Sequence, residues 1–191
     1  MNKLFVLITI LLATTSVYAQ TEKRIYTQAE QKDAEERELQ KKIEAIQDSM
    51  SYVDAVDALE KLDFVLEADR LVFKRGENVF VTPTTNFVSL SDGRATVQIA
   101  PFNGGGPNGV GGITVEGRAS NIKIKTDKKG NTFFSMNVMG TGISAMVDIS
   151  LPKGTNRATV TISPNLNSNR VMLNGSLLPR KRSTVFKGTA F

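Results

Sequence analysis

The sequence contains no cysteine, no histidine and no tryptophan. Without cysteine, the chain cannot form disulfides, thiolate metal sites or cysteine nucleophiles, and it has no cysteine to carry a lipid anchor. Without histidine, it lacks the most common general base and the most common metal ligand. These absences exclude most catalytic arrangements, so the sequence predicts a protein that is not an enzyme and that uses no cofactor and no metal.

Long apolar runs are also absent, except at the start of the chain. Lys3 precedes an apolar run over residues 4–13, and Val17 and Ala19 occupy the two positions that a signal peptidase reads. Such a run is too short for a spanning helix and is typical of a secretory signal peptide. We therefore predict a signal peptide over residues 1–19. The mature protein is expected to be exported and soluble, in the periplasm or outside the cell, and not a lipoprotein.

Charge is distributed unevenly along the chain. Residues 20–72 contain 14 acidic and 8 basic residues, whereas residues 73–191 contain 5 acidic and 15 basic residues. The basic residues are scattered over many predicted turns, and Tyr26 and Tyr52 are the only tyrosines after the signal peptide. Because nucleic-acid surfaces combine clustered basic residues with stacking aromatics, we predict no nucleic-acid partner.

A polar linker and an amphipathic helix are predicted over residues 20–62. Thr27 and Glu30 have the spacing of a capping box, which marks a helix start. Apolar residues then recur at spacings of three and four, which defines one face of a helix: Leu39, Ile43, Ile46, Met50, Val53, Val56, Leu59 and Leu62. We expect this stripe to cover the sheet of its own domain, with pairing to another chain as the alternative.

From residue 63 to 179 the apolar period changes from 3.6 to 2. Ile143, Ala145, Val147, Ile149 and Leu151 alternate with polar or exposed residues, and several other segments show the same pattern. Such alternation is typical of antiparallel sheets with one buried face. Turn signals such as Asp92-Gly93 separate the segments. The sequence predicts a mostly β domain, an antiparallel sandwich or barrel of roughly eight to ten strands. Residues 180–191 form a basic tail.

The candidate binding site is the glycine-rich loop that follows one of these strands. A loop with little side-chain surface can approach a ligand closely through its backbone, although a mobile connecting loop is the simpler interpretation. The ligand-binding residues predicted on this basis are Phe102, Asn103, Gly104, Gly105, Gly106 and Gly112. The expected partner is an unknown small molecule, glycan or envelope component. The basic tail, which includes Arg180 and Lys187, is expected to be solvated, with peripheral contact with an anionic envelope surface as the alternative.

Carboxylates provide the remaining catalytic option. Glu67 and Asp69 share one face of a predicted strand, where they could bind calcium or divide acid and base roles. The favoured interpretation is that they are solvated or paired with neighbouring basic strands. A hydrolase would need two carboxylates that face one cleft, and Glu116 and Asp148 are the candidates in strand-like segments.

Short motifs in a consistent order resemble a known family. They are Phe64–Arg70, Thr82-Pro83, Ala100–Phe102, Gly111–Ile113, Glu116-Gly117 and Asn174–Leu177. Their order and spacing, over residues of about 40 to 178, resemble the uncharacterised domain-of-unknown-function family 4251 of exported Bacteroidetes proteins. The resemblance implies a signal peptide and a mostly β domain, and it brings no functional residues. The leading hypothesis is therefore an exported, non-enzymatic binding or envelope-associated module. An interaction or structural subunit that uses the acidic helix is the alternative, and a carboxylate-based hydrolase is the third.

Overall fold

The computed structural model describes residues 27–102, 104–166 and 169–190. The predicted signal peptide and Asn103 lie outside these ranges. Two compact units are distinguished, Met1–Lys42 and Ile43–Phe191. The described residues of the first unit form the beginning of a helix, and the second unit contains the rest of that helix and every strand. None of the helices found in the described ranges is both long and apolar enough to cross a lipid bilayer.

The helix α1 spans Gln28–Glu60. It begins with the predicted capping box: the backbone N–H of Thr27 donates to Glu30 Oε2 at 2.9 Å, and the N–H of Glu30 donates to Thr27 Oγ1 at 3.3 Å. These bonds satisfy two backbone donors that the first helical turn would otherwise leave unpaired. The helix ends as Leu62 adopts a left-handed conformation with φ of 56°.

The expectation that the apolar stripe of α1 covers the sheet is wrong for most of its residues. Ile43, Ile46, Met50 and Val53 are 40–65% exposed, whereas Ala55, Ala58 and Leu59 are buried. At about 100° per residue, the two sets lie on opposite sides of the helix. The helix therefore packs on the barrel through a short alanine-rich face, whose small side chains let the helix approach closely. The stripe Ile43–Val53 faces away from the barrel.

Nine antiparallel strands follow the helix, and eight of them close into a barrel. The strands are β1 (Phe64–Phe73), β2 (Asn78–Phe80), β3 (Phe87–Ser91), β4 (Arg94–Ile99), β5 (Ile113–Thr126), β6 (Thr132–Gly140), β7 (Ile143–Leu151), β8 (Arg157–Pro164) and β9 (Val171–Pro179). Each barrel strand pairs with the next, and β9 pairs back onto β1. The extra strand β2 pairs with the second half of β1, along the edge whose first half pairs with β3. The predicted mostly β fold is confirmed, and the structure resolves the alternatives in favour of a barrel.

Closure of the barrel depends on a close approach between β1 and β9. Their register shifts between Ala68 and Arg70, which leaves Asp69 as the extra residue of a β-bulge. A Cβ placed on Gly175 of β9 would lie 1.9 Å from the carbonyl oxygen of Glu67. Only glycine fits here, because any side chain would separate the two strands that complete the barrel.

The two ends of the barrel differ. We call the end where β1 begins the closed end, because α1 packs there: the Tyr52 hydroxyl donates to the carbonyl of Gly130 in the β5–β6 turn, and Arg182 forms an ion pair with Asp54. The opposite end, where β4, β6 and β8 finish, is the open end. Inward side chains near the closed end fill the barrel, with Phe64 and Phe134 in edge-to-face contact at a centroid distance of 5.3 Å.

The predicted basic tail is bonded to the barrel wall. After a short 3₁₀ turn over Arg180–Arg182, the chain runs along the outer faces of β1, β4 and β5. Ser183 Oγ donates to Glu67 Oε1 at 2.7 Å, Lys187 Nζ donates to Glu116 Oε1 at 2.9 Å, and the N–H of Gly188 donates to Gln98 Oε1 at 2.8 Å. Its basic side chains are therefore largely engaged with the barrel and the helix.

Candidate ligand-binding site at the open end of the barrel

An apolar cavity of about 520 Å³ occupies the barrel interior at the open end. The strands β4, β5, β7, β8 and β9 supply its walls through residues that alternate inward. The principal apolar lining residues are Val97, Ile99, Ile113, Val115, Ala145, Ile162 and Val171. Val97, Ala145 and Ile162 are buried but retain slight exposure, whereas Ile113 at the rim is 48% exposed. The cavity is therefore continuous with solvent.

Small residues explain why the barrel is hollow at this end. Gly140 and Gly142 flank the β6–β7 turn, and Ala145 is the second residue inward on β7. At the other end of the same strand, Ile149 and Leu151 are completely or almost completely buried. Ala145 is thus the smallest inward side chain of β7 and lies beside the cavity, although Ile143, at the start of the strand, is again large. A Cβ on Gly140 would lie 2.1 Å from the carbonyl oxygen of Glu116, so the β5–β6 contact itself requires glycine.

The predicted loop residues lie beside this cavity and do not line it. Phe102 is 72% exposed, and Gly104, Gly105 and Gly106 are exposed, while Gly112 is partly buried. Asn103 lies outside the described residues. The cavity is lined instead by Ile99 and Ile113, where the loop leaves and rejoins the barrel. The structure therefore brings the ends of the loop to the site, but not its glycines.

A buried asparagine holds the loop against the outer wall. Asn108 is 1% exposed; its Oδ1 accepts hydrogen bonds from the N–H groups of Val110 and Gly112, and its Nδ2 donates to Thr114 Oγ1 at 3.2 Å. Thr114 in turn donates to Gln98 Oε1 at 2.7 Å. Because Thr114 and Gln98 alternate with the inward residues Val115 and Val97, this network lies on the outside of the barrel.

The carboxylates of the hydrolase hypothesis do not share a cleft. Glu116 lines an outer groove with Thr96 and Lys187, whereas Asp148 lines a different outer groove with Lys123 and Phe133, and β6 separates their strands. The hydrogen bond from the Lys187 ammonium holds the pKa of Glu116 below its ordinary value of 4.5, with Thr96 contributing. A general acid needs the opposite shift, so Glu116 is set up as an ion-pair partner.

Asp69 pairs with a basic residue of a neighbouring strand, as favoured, whereas Glu67 is bonded to uncharged donors of the C-terminal tail. Asp69 accepts two hydrogen bonds from Arg157, at 2.5 and 3.0 Å, and Glu67 accepts one from Ser183. In the described part of the chain, no group of three acidic side chains converges on a point that could hold a metal ion.

The cavity offers mainly apolar surface against which a ligand could be buried. Its walls are almost entirely aliphatic, and its polar boundary consists of short residues such as Ser144 and Asn169. Cavities of this size and polarity are typical of sites that bind small apolar molecules. Sequence reasoning identified the inward-facing residues as core but missed that they surround an unfilled volume. The available signal was the group of small residues Gly140, Gly142 and Ala145, which lie close together in the sequence.

The fold and this site define a small eight-stranded antiparallel barrel with one end closed by a helix and the other open to an apolar cavity. The chain matches the family described as "Domain of unknown function (DUF4251)" over residues 46–177. It is also similar to a solved structure, the crystal structure of a DUF4251 family protein from Bacteroides eggerthii DSM 20697. The identity is 51% and the TM-score 0.64, over 74% of this chain and 96% of that chain.

This protein therefore belongs to the DUF4251 family, and the resemblance found in its sequence motifs is confirmed. A comparison with curated proteins found no match.

Proposed function

We propose that this protein is an exported, non-enzymatic binding module that holds a small apolar molecule in the cavity at the open end of its barrel. The observation that carries the proposal is an aliphatic cavity of about 520 Å³ that opens to solvent. An unfilled apolar volume is costly for a folded protein, because its walls lose packing contacts that a ligand can restore. The signal-peptide pattern at residues 1–19 supports export, and the absence of histidine and cysteine supports a binding role.

The test is binding of a neutral apolar probe, N-phenyl-1-naphthylamine, followed by its fluorescence. Ile113→Trp places a large side chain in the mouth of the cavity, and we expect it to weaken binding about tenfold or more, because it fills the volume the probe needs. Met146→Trp is the matched control: Met146 is 45% exposed, much like Ile113, but lies on the outer face of β7. Equal affinity of the two variants would show that the probe binds elsewhere.

A second function is favoured by the exposed stripe of α1. Ile43, Ile46, Met50 and Val53 recur at spacings of three and four on the side of the helix that faces away from the barrel. This spacing is typical of helix–helix pairing, and a second copy of the chain would present the same stripe in a self-complementary arrangement. Sedimentation of the purified protein tests this candidate. A dimer that Ile46→Ser converts to a monomer supports it, and a wild-type monomer at high concentration contradicts it.

A further inference from the structure

A basic groove lies against the outer side of the cavity wall, at the same rim. Arg170 immediately precedes β9, and its neighbour Val171 lines the cavity. Because side chains alternate along a strand, Val171 faces the interior while Arg170 faces outward. Arg170 and Lys74 line an outer groove of about 530 Å³ whose floor includes Val72 and Met172.

The cavity and the groove meet at Pro164. This residue lines both of them, so only the rim of β8 and β9 separates the apolar interior from the basic exterior. An elongated molecule can therefore place an apolar chain in the cavity while its end group lies over the rim at Arg170.

The charge at this end favours a negative end group. Among the described residues of the loops at the open end, the charged ones are Lys74, Arg75, Glu77 and Arg170, three basic and one acidic. Arg170 is exposed and belongs to none of the ion pairs found within the described ranges. A guanidinium presents paired donors that match a carboxylate or phosphate.

We infer that the ligand is an anionic amphiphile, a molecule with a single alkyl chain held in the cavity and a carboxylate or phosphate end group held at Arg170. This inference rests on the proposed function, since it uses the same cavity. It adds the class of ligand and the residue that selects it.

The test is calorimetric titration of the full chain with decanoate, decyl phosphate, decan-1-ol and decyltrimethylammonium, each below its micellar concentration. We expect decanoate or decyl phosphate to bind about tenfold more tightly than decan-1-ol, because a charge-assisted hydrogen bond contributes roughly that factor. The preferred anion of the two distinguishes a carboxylate source from a phosphate source. The cation is expected to bind most weakly.

Three variants locate the effect. Arg170→Gln should abolish the preference for the anion and leave the affinity for decan-1-ol unchanged, whereas Arg170→Lys should retain part of the preference. Lys128→Gln removes one positive charge from the β5–β6 turn at the closed end and should change neither affinity. Equal binding of the anions and the alcohol, or an anion preference that survives Arg170→Gln, overturns the inference while the proposed function stands. Failure of all four compounds to bind overturns both.

Discussion

Asp69 and Arg157 form an ion pair that crosses β9 at the seam where the barrel closes. Asp69 is the bulge residue of β1, and Arg157 begins β8, on the far side of β9. Arg157 Nη1 and Nη2 donate to the two carboxylate oxygens of Asp69, and Nη1 also reaches Ser176 Oγ of β9 at 3.4 Å. The ion pair and the contact with Ser176 link β1, β8 and β9 where the barrel closes.

This ion pair predicts a specific dependence of stability on pH. The hydrogen bonds from Arg157 hold the pKa of Asp69 below its ordinary value of 3.8. Because the pKa of Asp69 is lower in the folded state than in the unfolded state, the pair contributes its full stabilisation above the unfolded-state value of 3.8. This contribution is lost as the pH falls through the lower pKa of the folded state. Both side chains are 40–50% exposed, so the contribution is expected to be no more than about 1 kcal/mol.

Urea unfolding between pH 7 and pH 2.5 measures the effect. Asp69→Asn should lower the free energy of unfolding at pH 7 and make it less sensitive to acid than in the wild type. Asp148→Asn is the control, because it removes an outward carboxylate of β7 that lines a groove with Lys123 and does not touch the seam. An identical acid response in the wild type and Asp69→Asn would contradict the role assigned to the pair.

Truncating a residue of the exposed stripe of α1 is expected to change the stability of the protein little, although the apolar periodicity of the helix suggests a large loss. If Ile46 covered the sheet, Ile46→Ala would cost roughly 2 to 4 kcal/mol of stability. Since Ile46 is 60% exposed, we expect the change to cost less than about 0.5 kcal/mol. Leu59→Ala, in a completely buried position on the opposite side of the helix, should cost about 2 to 5 kcal/mol. Thermal unfolding of both variants makes the comparison, and a larger loss at Ile46 would show that the stripe is covered.

Asn108 is predicted to hold the glycine-rich loop against the barrel. Asn108→Ala would leave the N–H groups of Val110 and Gly112 without their side-chain acceptor and remove the bond to Thr114. Unpaired buried groups cost about 1 to 3 kcal/mol, so we expect a loss of stability in that range and faster amide exchange over residues 104–112. Asn165→Ala, which removes an exposed hydrogen bond to Ser144, should do neither. Unchanged exchange in Asn108→Ala would show that the loop is held by other contacts.

Alanine replacements at Gly104, Gly105 and Gly106 would not test ligand binding cleanly, because they also strain the loop. All three have φ between 70° and 82°, and a Cβ on Gly106 would lie 2.7 Å from the backbone nitrogen of Gly112. Alanine is strained in this left-handed region, at a cost of about 1 to 2 kcal/mol per residue. A change in ligand affinity would then be inseparable from distortion of the loop.

The antiparallel β architecture was predictable from the sequence, because alternation along a strand directly reports which side chains face inward. The run from Ile143 to Leu151 behaves as its pattern predicts, with each apolar residue buried and each intervening one more exposed. The closure of β9 onto β1 was not predictable, because it depends on a bulge at Asp69 and on a glycine at position 175. Glycine is required there because Gly175 lies against the backbone of β1, which is distant in the sequence.

Three features of the structure were hidden from the sequence for related reasons. Helical periodicity located an apolar stripe on α1, but it could not reveal that the alanine face with Ala55 and Ala58 is the one that packs on the barrel. The glycine-rich loop looked unsupported because the partners of Asn108, Thr114 and Thr189, are brought to it by the fold. The cavity itself depends on the summed volume of side chains from five strands, which no local pattern reports.

The proposal that the cavity at the open end binds a small apolar molecule is tested most directly by a methyl NMR titration of the isoleucine-labelled protein with decan-1-ol. We expect saturable shifts for the δ1 methyl groups of the isoleucines that line the cavity: Ile99, Ile113, Ile143 and Ile162. The methyl groups of Ile43 and Ile46 on the exposed stripe, and of Ile149 nearer the closed end, should not move. Shifts confined to Ile43 and Ile46, with the cavity methyl groups unchanged at saturating decanol, would contradict the proposal that the open end of the barrel is the binding site.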